Sequence, residues 1–276
     1  MKSVFILLVL CALLCAQSSL FLDAAGLFNQ QKFQSIETAI QPPPGVVRQS
    51  LKNTSFGNYL RQLPLLPDSS NVLDFQNNIR VNHSDSSLAR VIAINIKGQR
   101  LWQCMDILIR IHVDFLQQQK EPQKINYPLP EGTMLSWPEW QKGIRPFFSG
   151  LHFKKKSIAA PDSSSAAFQR YLNKLFEFSG TQTFFYYYPQ LELDELQAGD
   201  FIVKKGKKGH AVMIVDLALN DQGERIALIG QGDTPACQFY LLKNKDGSPW
   251  FQISNTAIYP DLPIRKKMYW SGLRRF

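Results

Sequence analysis

The last third of the chain is a series of apolar, β-branched segments joined by turns too short to hold helical crossovers. That spacing restricts it to an antiparallel sheet. Gly199-Asp200 leads into Phe201-Ile202-Val203, and a lysine-rich turn from Lys204 to Gly209 precedes His210 and a strand over Ala211 to Leu219. Asn220-Asp221-Gln222-Gly223 has turn chemistry and returns the chain through Arg225 to Gly230, with a further strand over Phe239 to Leu242. A turn centred between Asp221 and Gln222 sets His210 opposite Asp233, and Val212 opposite Gln231, on one side of the sheet.

Upstream, Arg90 to Ile96 alternates as a strand with one apolar face, and Lys97-Gly98 breaks it. The clearest helix follows, from about Gln99 to Gln118. Leu101, Met105, Leu108 and Phe115 keep helical spacing beside a second row of Cys104, Ile107 and Ile111, giving a wide buried face with His112 in the core or at its boundary. Shorter signals predict a helix over Ser55 to Gln62, a strand over Val72 to Phe75 and a helix over Ser164 to Ser179. The expected fold is a single α+β domain over residues 51–276, an antiparallel sheet packed against a long helix. Residues 19–45 are polar and end in Gln41-Pro42-Pro43-Pro44-Gly45, so 19–50 reads as a stiff spacer.

Residues 1–18 read as an export signal: Lys2, an apolar run from Val4 to Leu14, then Ala16 and Ser18 at the cleavage region. The run is shorter than the ~20 residues of a membrane-spanning helix. The expectation is therefore a periplasmic or secreted protein with no transmembrane segment once the signal is cleaved. In that setting the net charge of +9 favours an anionic cell-envelope polymer, peptide or lipid head group over nucleic acid. The same charge also aids solubility. Two cysteines remain beyond the signal, Cys104 and Cys237, either free and buried or joined in one disulfide. No metal-ligand spacing occurs among the cysteines and the four histidines, so no metal or cofactor is expected.

His210 is the candidate general base. Gln231 or Asp233 across the hairpin would fix its tautomer, whereas Asp216 lies about 20 Å further along the strand. Cys104 is the candidate nucleophile, because a thiolate near a helix N-terminus gains from the macrodipole. A cysteine on a helix and a histidine on a later strand suit a papain-like thiol hydrolase. Under the competing reading Cys104 is a core residue, His210 makes a structural hydrogen bond, and the chain is a non-catalytic envelope-binding or accessory domain. His83 and His152 sit in polar surroundings and read as exposed. Trp137-Pro138-Glu139-Trp140 and Phe184 to Tyr188 suit either a sugar-binding surface or core packing.

Leu196-Gln197-Ala198-Gly199-Asp200-Phe201-Ile202, followed by Gly209-His210-Ala211-Val212, resembles cell-wall amidases of the NlpC/P60 and CHAP kind. The resemblance implies the role of base for His210. Those amidases carry their cysteine in an Asp-Cys-Ser-Gly-like context nearer the histidine, whereas Cys104 lies in Trp102-Gln103-Cys104-Met105-Asp106. Almost the whole chain also resembles an exported bacterial family, domain of unknown function 4846. The matching motifs include Tyr59 to Leu65, Gln103-Cys104, Ser179-Gly180-Thr181, Ser248-Pro249-Trp250 and the ending Leu273-Arg274-Arg275-Phe276. This second resemblance implies one domain, a bacterial source and a glutamine at the position of Gln231.

Overall fold

The computed structural model describes residues 33–276. The expected export signal and the first part of the expected spacer lie outside the described residues. The elements, in chain order, begin with α1 (Ile36–Ala39), β1 (Val46–Arg48), α2 (Phe56–Arg61), β2 (Val72–Leu73), β3 (Ile79–Val81) and β4 (Leu88–Val91). The middle of the chain holds α3 (Cys104–Gln118), β5 (Asn126–Pro128), β6 (Met134–Ser136), α4 (Trp137–Gln141), β7 (Ile144–Ser149), β8 (His152–Ser157), α5 (Ser165–Phe178) and α6 (Thr181–Tyr187). The last third supplies β9 (Phe201–Lys204), β10 (His210–Asn220), β11 (Arg225–Gln231), β12 (Tyr240–Leu242), β13 (Trp250–Ile253) and β14 (Leu273–Arg274).

An eight-stranded antiparallel sheet organises the molecule, in the order β14-β9-β10-β11-β12-β4. The two long central strands each hold two partners on their outer edge. β10 pairs β9 through His210 to Met213 and β1 through Ala218 to Asn220. β11 pairs β13 with its first half and β12 with its second. The hairpin register is the expected one near its open end, where Met213 faces Gly230 and Ile214 faces Ile229. A bulge between Ile214 and Asp216 shifts it by one residue toward the turn. Ala211, Met213 and Val215 join the core containing Leu108, Ile109 and Ile111 of α3, while Val212 and Ile214 join a second core with Met268 and Leu273. The central sheet is thus buried on both faces, which explains the near-continuous apolar run of β10.

Several sequence expectations need correction. Residues 33–50 are not a detached spacer: Ile36 is fully buried, and β1 extends the main sheet. The proline run only joins these two docked elements. The long helix starts at Cys104, not near Gln99, because Asp106 accepts a hydrogen bond from the Gln103 amide and caps the helix there. The β4 ladder stops at Val91, beyond which Ala93 bonds Pro64 and Ile94 turns back on Ile92. β2 ends at Leu73 because the Asp74 carboxylate caps the following turn through the amides of Gln76 and Asn78. Trp137, Trp140 and Phe184 are core residues, Phe184 at the centre of an aromatic cluster with Tyr127, Phe201 and Phe276. His112 is a packing residue as expected, with its ring stacked on Phe276 at 4.4 Å.

Asp216 accepts hydrogen bonds from Arg48 Nε and Arg61 Nε, each at 2.7 Å, and its side chain has no solvent exposure. Removing one partner of such a buried set leaves unpaired charge, at about 3–5 kcal/mol. Asp216→Ala is therefore expected to lower unfolding free energy by about 3 kcal/mol or more. The measurement is a urea titration, in which the midpoint falls while the slope stays constant.

Candidate active site

His210 opens β10 because the chain must pass a tight spot just before it. A Cβ on Gly209 would lie 2.1 Å from Thr181 Oγ1 and 3.0 Å from the Lys204 carbonyl, so only glycine fits against the start of α6. The imidazole beyond it is almost fully buried. Its Nε2 lies 2.6 Å from Gln231 Oε1, and Gln231 Nε2 donates to the Tyr240 hydroxyl at 2.6 Å. Because an amide oxygen can only accept, Nε2 carries the proton and Nδ1 keeps its lone pair. That Nδ1 is buried and has no hydrogen-bond partner among the described residues. Burial lowers the His210 pKa below its ordinary value; the Gln231 hydrogen bond opposes this and the charge of Lys266 adds to it.

Cys104 is the first residue of α3 and is buried. First-turn amides have no partners within a helix, and here the amides of Met105 and Ala211 interact favourably with the sulfur. Ala211 is the residue after His210, and the helix that Cys104 opens packs against this strand. The sulfur and the imidazole share no hydrogen bond. Burial, with Asp106 second, pushes the thiol up to about 11, while Lys266 and the two amides pull the other way. At neutral pH the resting pair is therefore a thiol and a neutral imidazole. Gly232 brings the two sides together, since a Cβ there would sit 2.7 Å from Ile107 Cγ2 on α3.

Two cavities flank this junction, of about 570 and about 400 Å³. The larger is bordered by Cys104, Gln103, Lys207 and Lys208; the smaller by His210, Gln231, Tyr240 and Arg80. Thr234 and Lys266 border both. Thr234 Oγ1 donates to Gln103 Oε1 at 3.0 Å, and Lys266 Nζ donates to the Gly209 carbonyl at 3.2 Å. Of the two partners considered for His210, the structure selects Gln231. Asp233 instead accepts from Arg80 Nη2 at 2.7 Å and makes no hydrogen bond to the ring. Cys237 and Cys104 are both free and buried, not bridged.

Sequence reasoning missed Tyr240, Arg80 and Lys266, and met Gln103 only as part of the Gln103-Cys104 motif. Tyr240 was readable only as a strand residue, although its pairing with Gln231 in the β11–β12 ladder puts it on the same side of the sheet. Lys266 stands in Arg265-Lys266-Lys267, a charge cluster with no motif to single it out.

The fold and site together define a mixed α/β protein whose central hairpin holds a buried His–Gln–Tyr chain, with a cysteine as the first residue of the helix packed on it. Residues 36–264 match the model of the family described as Domain of unknown function (4846), and the chain belongs to that family. No curated protein and no solved structure matches it.

If Gln231 holds the imidazole as described, the His210 ring titrates below its usual 6.5 in a proton NMR pH series. Gln231→Leu then lowers the midpoint further, because the hydrogen bond that raises it is gone. An unchanged midpoint in the variant would show that the contact does not bear on the ring.

Proposed function

We propose that the protein is a cysteine amidase or peptidase, papain-like or NlpC/P60-like in design, acting outside the cytoplasm on an anionic peptide of the cell envelope. The observation that carries this reading is the state of His210, with Nε2 tied to Gln231 and Nδ1 buried and unpartnered among the described residues, while Cys104 opens the helix that packs against the same strand. A general base needs a free lone pair, a fixed tautomer and a nucleophile nearby. The lowered pKa of His210 keeps that lone pair available at neutral pH.

In the proposed reaction His210 Nδ1 takes the thiol proton as Cys104 Sγ attacks the peptide carbonyl carbon. Collapse of the tetrahedral adduct breaks the C–N bond, and the same proton passes to the departing amine. A water molecule, deprotonated by His210, then hydrolyses the thioester and restores the thiol. The first-turn amides of α3, and Gln103 with its carbonyl occupied by Thr234, are the proposed donors to the oxyanion. Lys207, Lys208 and Lys266 support the choice of an anionic substrate. So does the pairing of Asp233 with Arg80, which takes one carboxylate of the cleft out of play.

One observation favours the non-catalytic reading. A thiol pushed up to about 11 is a core-like thiol, and a binding module needs nothing more from it. Alkylation separates the two readings. As an enzyme, the protein loses Cys104 alkylation rate by about tenfold or more on His210→Ala, read by mass spectrometry of the Cys104 peptide at neutral pH. Equal rates in the two proteins would defeat the catalytic assignment. An envelope-binding module would also retain peptidoglycan pull-down in Cys104→Ala and release no product from it.

A further inference from the structure

The hairpin formed by β7 and β8 stands outside the main sheet as its own two-stranded unit. An isolated hairpin is marginal in water, and this one is held along one face of β8. Phe153 packs on Phe178 at 5.1 Å, its amide donates to Glu131, and Lys155 Nζ bonds both Glu139 oxygens at 2.8 Å. Phe148, opposite Phe153, rests part of its ring on Phe153 and Phe178, and the turn beyond it stands clear of these contacts. Ser149 pairs His152, leaving Gly150 and Leu151 as a two-residue turn with Gly150 at φ 62°. Turn geometry needs the glycine but asks nothing apolar of the next position. Leu151 nevertheless fills it, 91% exposed, with Phe148 beside it at 55%. Lys154 and Lys156 follow on one face of β8, exposed and in no ion pair among the described residues. The acids near the hairpin are otherwise engaged: Glu131 lies 3.5 Å from His152 Nδ1, and Glu139 holds Lys155.

We propose that this hairpin is a membrane-docking element that inserts Leu151 and Phe148 among the acyl chains of an anionic lipid surface, with Lys154 and Lys156 at the phosphates. Apolar groups at the extreme tip with lysines set back along the strand reproduce the polarity profile of a lipid interface. Free lysines supply the electrostatic half of the attraction. A second copy of the chain is a poorer occupant, because its own tip would bring like charges together. The inference is independent of the catalytic assignment.

The test is a tip reporter in the full chain. The natural tryptophans are all buried, so Leu151→Trp adds a water-exposed emitter. Vesicles of phosphatidylcholine mixed with phosphatidylglycerol are expected to shift its emission to the blue, and brominated acyl chains to quench it. Phosphatidylcholine alone, or Lys154→Glu with Lys156→Glu in the same reporter, is expected to weaken the response at least about tenfold. A tip whose emission ignores anionic vesicles would overturn the proposal, even if the protein sediments with them. A blue shift that grows with protein concentration in the absence of lipid would overturn it as well, in favour of self-association.

Discussion

A carboxylate removed from water must be neutralised where it sits, and Asp216 is such a carboxylate at the middle of the central hairpin. Both of its cations come from far upstream, Arg48 at the end of β1 and Arg61 at the end of α2. The requirement makes the N-terminal segment part of the domain. It also couples that segment to the bulge between Ile214 and Asp216, where the register of β10 against β11 changes. On the open side of the bulge the strands keep the register that brings His210 and Gln231 within a hydrogen bond. The buried ion pairs and the candidate site therefore share one strand, but they lie on opposite sides of its irregularity.

The same physics that builds the site sets its resting state. Enclosure by α3 and the sheet raises the thiol and lowers the imidazole, so each is held neutral. A neutral imidazole is already the competent form of a base, whereas a thiol pushed up to about 11 has to be deprotonated during attack. Lys266 lowers both pKa values, favouring the thiolate at Cys104 and the neutral ring at His210, and its ammonium is held at the Gly209 carbonyl between the two cavities.

Local regularity was legible in the sequence and tertiary compensation was not. The hairpin from His210 to Gln231 could be laid out because its turn residues and apolar alternation agree, and the observed pairs near its open end follow that layout. The helix over 104–118 showed in its wide apolar face, but its start did not, because the Asp106 cap competes with a helical pattern that continues back to Leu101. Residues 35–48 misled for a related reason. Three prolines in a polar context read as a linker, while the decisive facts are two buried isoleucines and an arginine that reaches Asp216. His210 was visible as a candidate, and the choice of Gln231 over Asp233 needed Arg80 and Tyr240, which arrive from other strands.

The Gly-Asp and Gly-His segments, which together suggest amidases of the NlpC/P60 kind, have different physical meanings here. Asp200 is buried and accepts hydrogen bonds from Arg275 Nε and Nη2 at 2.6 and 2.9 Å, so it ties the C-terminus to the start of β9. Phe276 then completes the ring cluster against His112 and Phe201. Gly199, at φ 101°, allows close approach of the Phe56 ring. All of this is architecture, and a protein with no activity would need it equally. Of the two segments, the second holds the buried ring atom that has no partner among the described residues. A structural histidine would be expected to use both ring nitrogens, because an unpaired buried polar atom is costly. His210 leaves Nδ1 without a partner among the described residues, and the proposed chemistry rests on that open nitrogen more than on the motif around it.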